Sequence, residues 1–473
     1  PGRAARPSPP PGTGTDPALN AMLLQHLIHS LDPLTVDGSL DRDVSAISCD
    51  PRSVRPGGLY VAAPGLVPAA PDRVLEAEDR GVSAVICERR PHQPGPATRI
   101  CVRDAREALA HVSACFYAEP AARLRLVGVA GGAGRAPFAF VLRHLFEACG
   151  RPAGLIGTLC HRLGERVIHA PRWTPTSLEI QPMLAGLVRG GHRACIIEVT
   201  PELVASRQLA GLPFETLIQA PGGEDGPLPE PAGRPARFLR PATAPGLSPF
   251  DRSTLHRDGS AAPLRVAGRQ VAVRVPLAGR SLLRLACAAL EAGAACGLEV
   301  NTMLAALREL PPVPGHLEPV PGPGEPCVFA DAAADPAALR TALADLRELA
   351  PGRLLVLLGA PAAGGEAGAR ELGRVAARIA DHVVVTTNTP RRDCPARLAA
   401  ALVAGLEEFA PPTHETILDR RRAIAAILRG AQAGDIVLLA GKGHAAWQEH
   451  DDVVVPFDDR LFAAEALATS ARR

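Results

Sequence analysis

The chain has 473 residues, too many for one hydrophobic core, since cores stop growing near ~250–300 residues, so two to four domains are expected. Hydrophobic residues make up 47% and charged residues 21%, the mix of a globular protein, and no apolar run approaches the ~18 residues that span a bilayer. A net charge of +2 and 3% aromatic residues argue against nucleic acid, an anionic membrane or a base-stacking platform as partner. Of the 51 Lys plus Arg, only Lys442 is lysine, so chemistry that needs two lysines is excluded. The 11 cysteines are scattered without a C-x-x-C pair, and several stand inside apolar runs such as "AVICE" and "ACIIEV". Buried reduced thiols explain this better than disulfides or a zinc site, and point to the cytoplasm.

Residues 1–18 carry arginine but no apolar segment, and read as a disordered tail rather than a signal or an anchor. The segment 19–120 forms a first domain. It opens with an amphipathic helix over Leu19 to Leu31, continues through strands at "VSAIS", "GGLYVA" and "SAVICE", and includes the helices "DRVLEAEDRG", ending at Gly81, and "AREALAHVSACFYA". A central domain, 121–312, begins with a buried strand, Arg123 to Ala130, that runs into a glycine loop and the helix "APFAFVLRHLFEACG". Strands follow at "AGLIG", "RACIIEV" and "FETLIQA"; between 220 and 262 Pro and Gly then dissolve the regular pattern into a surface excursion. The pattern resumes with "RQVAVRVPL" and the helix "GRSLLRLACAALEAGAACG". From 313 to 473, strands and helices alternate cleanly through "PCVFAD", "RLLVLLG", "DHVVVTT" and "GDIVLLAG", as in a Rossmann-like domain.

The loop "GVAGGAGRAPFAF" has the outline of a phosphate-binding turn, with Gly128, Gly131 and Gly134 in place. Such a turn also needs a lysine for the β- and γ-phosphates and a hydroxyl for Mg²⁺. Here those positions hold Arg135 and Ala136, and Pro137 follows. A planar guanidinium is no conservative replacement for a compact ammonium.

Taken in order, "CDPRSVRPGGLYVAAPG", "LVGVAGGAGRAP", "TPTSLEIQPMLAGLV", "IIEVTPELVASRQLAGLPF", "VPGHLE", "DAAADPAAL", "TTNTPRRDCP", "AGKGHAAWQ" and "VPFDDR" resemble the motifs of the Mur ligase family, in its MurE (UDP-N-acetylmuramoyl-tripeptide synthetase) branch. The resemblance implies an α/β, three-domain architecture with a P-loop-like centre and a Rossmann-like C-terminal domain. It also implies an activity in which ATP activates a carboxylate as an acyl phosphate that an amine then attacks. Gly128, Gly131, Gly134 and Arg135 stand at the ATP loop, and Glu198 at the metal-binding glutamate. Asp50 and Arg52 fit the uridine segment, and Thr174 the end of a Thr-Thr-Pro motif. Arg391, Lys442 and His444 stand where the family reads its amino acid.

Departures from that pattern are numerous. The family's carbamylated lysine cannot exist, because Lys442 lies in "GKGH". The histidine after the metal glutamate is lost in the run Thr200, Pro201 and Glu202. Paired asparagines read Leu282 and Leu285, an arginine reads His316, the Asp-Tyr-Ala-His motif reads Asp331, Ala332, Ala333 and Ala334, and a glutamate reads Ala445. These losses predict a pseudoenzyme without cofactor that acts as a binding or scaffolding protein. Its expected partners are an active Mur ligase or cell-wall and amide-polymer machinery, with residual binding of a UDP-sugar or anionic peptide. A divergent ATP-dependent amide ligase using Arg135, Glu198, ATP and Mg²⁺ is the competing expectation, and a UDP-sugar sensor working through Arg52 and Thr174 is a third.

Overall fold

Four principal sheets, covered by helices, organise the computed structural model, which describes residues 21–470 apart from 67–72, 90–94, 170–174, 223–234, 242–252, 323, 325, 409–411 and 452. The expected tail therefore lies outside the described residues, and so does Thr174. The described chain divides into two compact units. The first carries the five- and seven-stranded sheets; the second carries the three- and six-stranded sheets and residues 140–148 of the helix that begins at Arg135. No described helix is long and apolar enough to cross a membrane.

In the first unit, the strands Ile47–Ser48, Leu59–Val61, Ala84–Cys87 and Thr98–Cys101 run parallel, and Thr35–Asp37 closes the edge antiparallel. Ala84–Cys87 and Thr98–Cys101 are buried at every position, as strands covered on both faces must be. Leu109, Val112 and Phe116 of the helix Ala105–Phe116 join the core on one face. Asp104 fixes where that helix starts by accepting from the backbone of Arg106 and Glu107.

The seven-stranded sheet runs in the order Arg166–His169, Cys160–Leu163, Ala153–Ile156, Ala194–Glu198, Arg125–Ala130, Phe214–Gln219 and Arg237–Leu239. Its last five strands are parallel. This arrangement puts the C-terminal ends of Arg125–Ala130 and Ala194–Glu198 side by side, with Glu198 opposite Val129. Such an edge is where ligands bind in open α/β sheets. The helix Ser177–Arg189 begins with a capping box between Thr176 and Glu179, and packs Ile180, Leu184 and Leu187 on the sheet.

In the second unit, the three-stranded antiparallel sheet Thr254–His256, Gly259–Val266 and Arg269–Val275 is followed by the helices Arg280–Ala295 and Val300–Arg308. The six-stranded sheet orders Glu318–Pro319, Cys327–Asp331, Ile436–Ala440, Leu354–Leu358, His382–Val385 and Thr413–Thr416, all parallel except the first. It is the Rossmann-like alternation expected from 313 onwards.

Three expectations need correction. Residues 19 and 20 of the helix expected over Leu19–Leu31 lie outside the described residues, and the described part is helical only over Leu24–Leu27. Met22 and Leu23 pair instead with Val44 and Asp43, a ladder that takes up their backbone groups. The strand expected at "VSAIS" is split into Asp43–Val44 and Ile47–Ser48, which serve different sheets. The excursion 220–262 holds the strand Arg237–Leu239, which extends the central sheet, and Thr254–His256, which opens the antiparallel one.

Candidate functional site

At the end of Arg125–Ala130 the chain turns through residues 131–134 into the helix Arg135–Ala148. Gly128 packs within the sheet, where an added methyl would meet Leu217 and Phe214. Gly131 has φ +127°, and a Cβ there would press on the Ala220 carbonyl, so the turn requires glycine. The Gly134 carbonyl accepts from the Phe138 backbone in the first helical turn. The phosphate-loop shape is thus retained.

The chain's own side chains engage this turn. Arg135 folds back so that one terminal nitrogen donates to the Gly131 carbonyl at 2.8 Å and Nε donates to Glu198 Oε2 at 3.3 Å. Glu198 is 2% exposed and also accepts from Thr158, whose backbone N–H donates to Oε1 at 2.8 Å and whose hydroxyl donates to Oε2 at 2.9 Å. An added methyl on Gly157 would overlap the Glu198 carboxylate, so the residue before Thr158 must be small. Sequence reasoning singled out Arg135 and Glu198 but missed Thr158. The only sequence signal for it was a hydroxyl two residues after the strand "AGLI".

Asp50 and Arg52, in the first sheet's domain, form a closed pair. Asp50 accepts from the Arg52 backbone at 3.0 Å, from its Nε at 3.0 Å and from a terminal nitrogen at 2.7 Å. In the second unit, Lys442 follows the strand Ile436–Ala440, and its ammonium donates to the Trp447 carbonyl, 6.0 Å from the Trp447 ring centre and 5.7 Å from that of Phe457. It is 2% exposed, and burial, reinforced by the Arg420 charge, pushes its pKa down to about 8. Arg391 adopts φ +52° and is tied to Glu449 by its backbone N–H and by a 3.5 Å ion pair. Asn388 donates to the Gly441 carbonyl at 3.1 Å, and Gln448 donates to the Asn388 carbonyl at 2.7 Å, knitting the two expected substrate loops together. The His444 carbonyl accepts from Arg460. Asp331 is turned inward: its oxygens accept from the backbones of Leu317 and Ala333, and burial raises its pKa to about 6. Among the described residues, no group of three or more His, Cys, Asp or Glu is placed to hold a metal ion.

The family model "Mur ligase, glutamate ligase domain" matches residues 316–443. Over 481 residues the chain is 30% identical to the UDP-N-acetylmuramoyl-L-alanyl-D-glutamate–2,6-diaminopimelate ligase of Gloeobacter violaceus, covering 92% of this chain and 96% of that protein. The chain belongs to the Mur ligase family. A solved UDP-N-acetylmuramoyl-L-alanyl-D-glutamate–2,6-diaminopimelate ligase superposes with a TM-score of 0.62 at 20% identity, covering 96% of this chain and all of that one. The MurF ligase of Thermotoga maritima in complex with ADP superposes with a TM-score of 0.55 at 16% identity, over 90% of this chain and 98% of that one. The three-domain α/β Mur-ligase fold follows from these likenesses.

For a Mur ligase, the residues present do not fit a magnesium-bound triphosphate. Ala136 carries no side-chain hydroxyl, the Arg135 guanidinium is bound to the Gly131 carbonyl and Glu198, and each oxygen of Glu198 already accepts a hydrogen bond.

Proposed function

We propose that this Mur-ligase relative has given up ATP-dependent ligation and works as a cytoplasmic binding or scaffolding partner of cell-wall or related amide-ligation machinery, an active Mur ligase being the foremost candidate partner. The observation that carries this reading is the seat of Arg135, bridged between the Gly131 carbonyl and Glu198 where a phosphate and a cation would have to enter. Catalysis of phosphoryl transfer rests on positioning and charge neutralisation. A chain that neutralises its own metal carboxylate with its own side chain has little left to offer a nucleotide. The inward-facing Asp331 and the alanine at 445 support the same reading. Residual recognition of a UDP-sugar or anionic peptide would fall to Asp50, Arg52 and the exposed Arg391.

The second reading, a divergent ATP-dependent amide ligase with ATP and Mg²⁺ as cofactors, is favoured by the full-length likeness to a protein named as a ligase. Relatives' names favour it over the first reading, and the expectation of no cofactor draws no support from them. The two separate in one assay: Mg-ATP, a UDP-muramoyl dipeptide and diaminopimelate are incubated with the purified chain, and phosphate is measured. The binding-partner reading predicts background release, unchanged in Arg135→Ala and Glu198→Ala. Turnover that both substitutions abolish would establish the ligase.

A further inference from the structure

Cys87 ends the strand Ala84–Cys87, and Cys101 ends its parallel neighbour Thr98–Cys101. The two are register partners, and neighbouring strands lie ~4.8 Å apart, which places their Cα atoms within the ~4.4–6.8 Å that a disulfide spans. Their sulfurs are 3.9 Å apart, 3% and 6% of the residues being exposed, in a cluster with Tyr60, Val74, Ala77 and Val85. Arg99, one position before Ile100 on the same strand, holds a buried ion pair with Glu78 and acts electrostatically on Cys87. Neither thiol belongs to the nucleotide turn or the substrate loops.

We propose that Cys87 and Cys101 are a reversible redox pair that closes to a disulfide by exchange with a small-molecule disulfide of the glutathione type. The Cys101 thiolate, on the more exposed residue, attacks one sulfur of the oxidant and releases the first small thiolate. The Cys87 thiolate then attacks the Cys101 sulfur of the mixed disulfide and releases the second. The two protons given up by the cysteines pass to the departing thiolates, so two protein thiols are oxidised and one small disulfide is reduced to two thiols. Closure ties both strand ends to the start of the helix Ala105–Phe116: the Val102 backbone already donates to the Cys87 carbonyl at 2.9 Å, and Glu88 accepts from the Ala105 backbone.

The test incubates the full reduced chain in buffers of increasing oxidised-to-reduced glutathione ratio, quenches with acid and digests with trypsin. Cleavage after Arg80, Arg89, Arg99 and Arg103 leaves each thiol on its own short peptide, 81–89 and 100–103. The expected result is those two peptides joined, with the Cys87 and Cys101 thiols lost together, and reversal by excess reduced glutathione. Amides at the start of Ala105–Phe116 should exchange at least tenfold more slowly in the oxidised chain. Cys87→Ala and Cys101→Ala should each abolish the joined species, and the wild-type digest decides the matter even if neither variant folds. The proposal is overturned if both peptides stay reduced or carry glutathione separately at ratios where the exposed Cys394 is already modified, or if the helix amides exchange at an unchanged rate.

Discussion

Arg135 is 18% exposed at its side chain and Glu198 2%, so their contact is a largely desolvated ion pair rather than a surface one. Removing one partner of a buried pair leaves the other charge uncompensated, which costs ~3–5 kcal/mol when burial is complete. Arg135→Ala should therefore lower the unfolding free energy by about 2–4 kcal/mol in urea titrations, and Glu198→Gln added to it should recover most of the loss. An Arg135→Ala chain as stable as the wild type would show that the pair has no structural role. Lys442 gives a pH signature of opposite kind. Its folded pKa of about 8 lies below the ordinary 10.5, so the unfolded chain binds more protons between those values and stability must rise with pH there. Thiols of the unfolded chain, with ordinary pKa values of ~8.5, titrate over part of the same range and lower stability equally in both the wild type and Lys442→Met, so the signature is the difference between them. Wild-type stability relative to that of Lys442→Met should rise between about pH 8 and 10. The same linkage makes Asp331, raised to about 6 from 3.8, cost stability as pH rises from about 4 to 6.

At the scale of elements, the helices Gly365–Ala377 and Pro395–Leu406 approach backbone to backbone. An added methyl on Gly373 would overlap the Leu402 carbonyl, and one on Gly405 the Arg370 carbonyl. Gly405→Ala should force the pair apart at a cost of about 1–3 kcal/mol, read as a lowered thermal midpoint; an unchanged midpoint would mean the helices slide freely. The helices Arg420–Gly430 and Asp459–Ser470 are locked differently, by Arg420 and Asp459 at 2.8 Å with both side chains fully buried, and Arg420 also donates to the Thr387 and Ala440 carbonyls. Three arginines stand side by side at that helix start. Arg421 and Arg422 are exposed, at 66% and 84% of the side chain, whereas Arg420 is the helix's internal anchor. Periodicity cannot distinguish a buried cation from exposed ones, because the carboxylate that decides it lies 39 residues further on. Strands with uniform apolar runs, such as Leu354–Leu358 and Ile436–Ala440, were legible for the converse reason: burial on both faces leaves its mark in every residue. The hairpin Cys160–Leu163 with Arg166–His169 was not legible, because its four-residue strands mix polar and apolar positions without alternation.

For the whole molecule, ordered motifs along the chain made the family legible, while the chemistry depended on which side chains replaced the family's own and where they turned. That Arg135 turns inward onto Glu198, with Thr158 donating to the same carboxylate, is a three-body arrangement spread over 64 residues, and no local pattern encodes it. On the proposed reading, the chain satisfies its phosphate turn internally and so binds no Mg-ATP. Calorimetric titration of Mg-ATP into the purified chain tests this most directly. We predict no saturable heat up to millimolar nucleotide, and micromolar binding that Arg135→Ala weakens would contradict the claim.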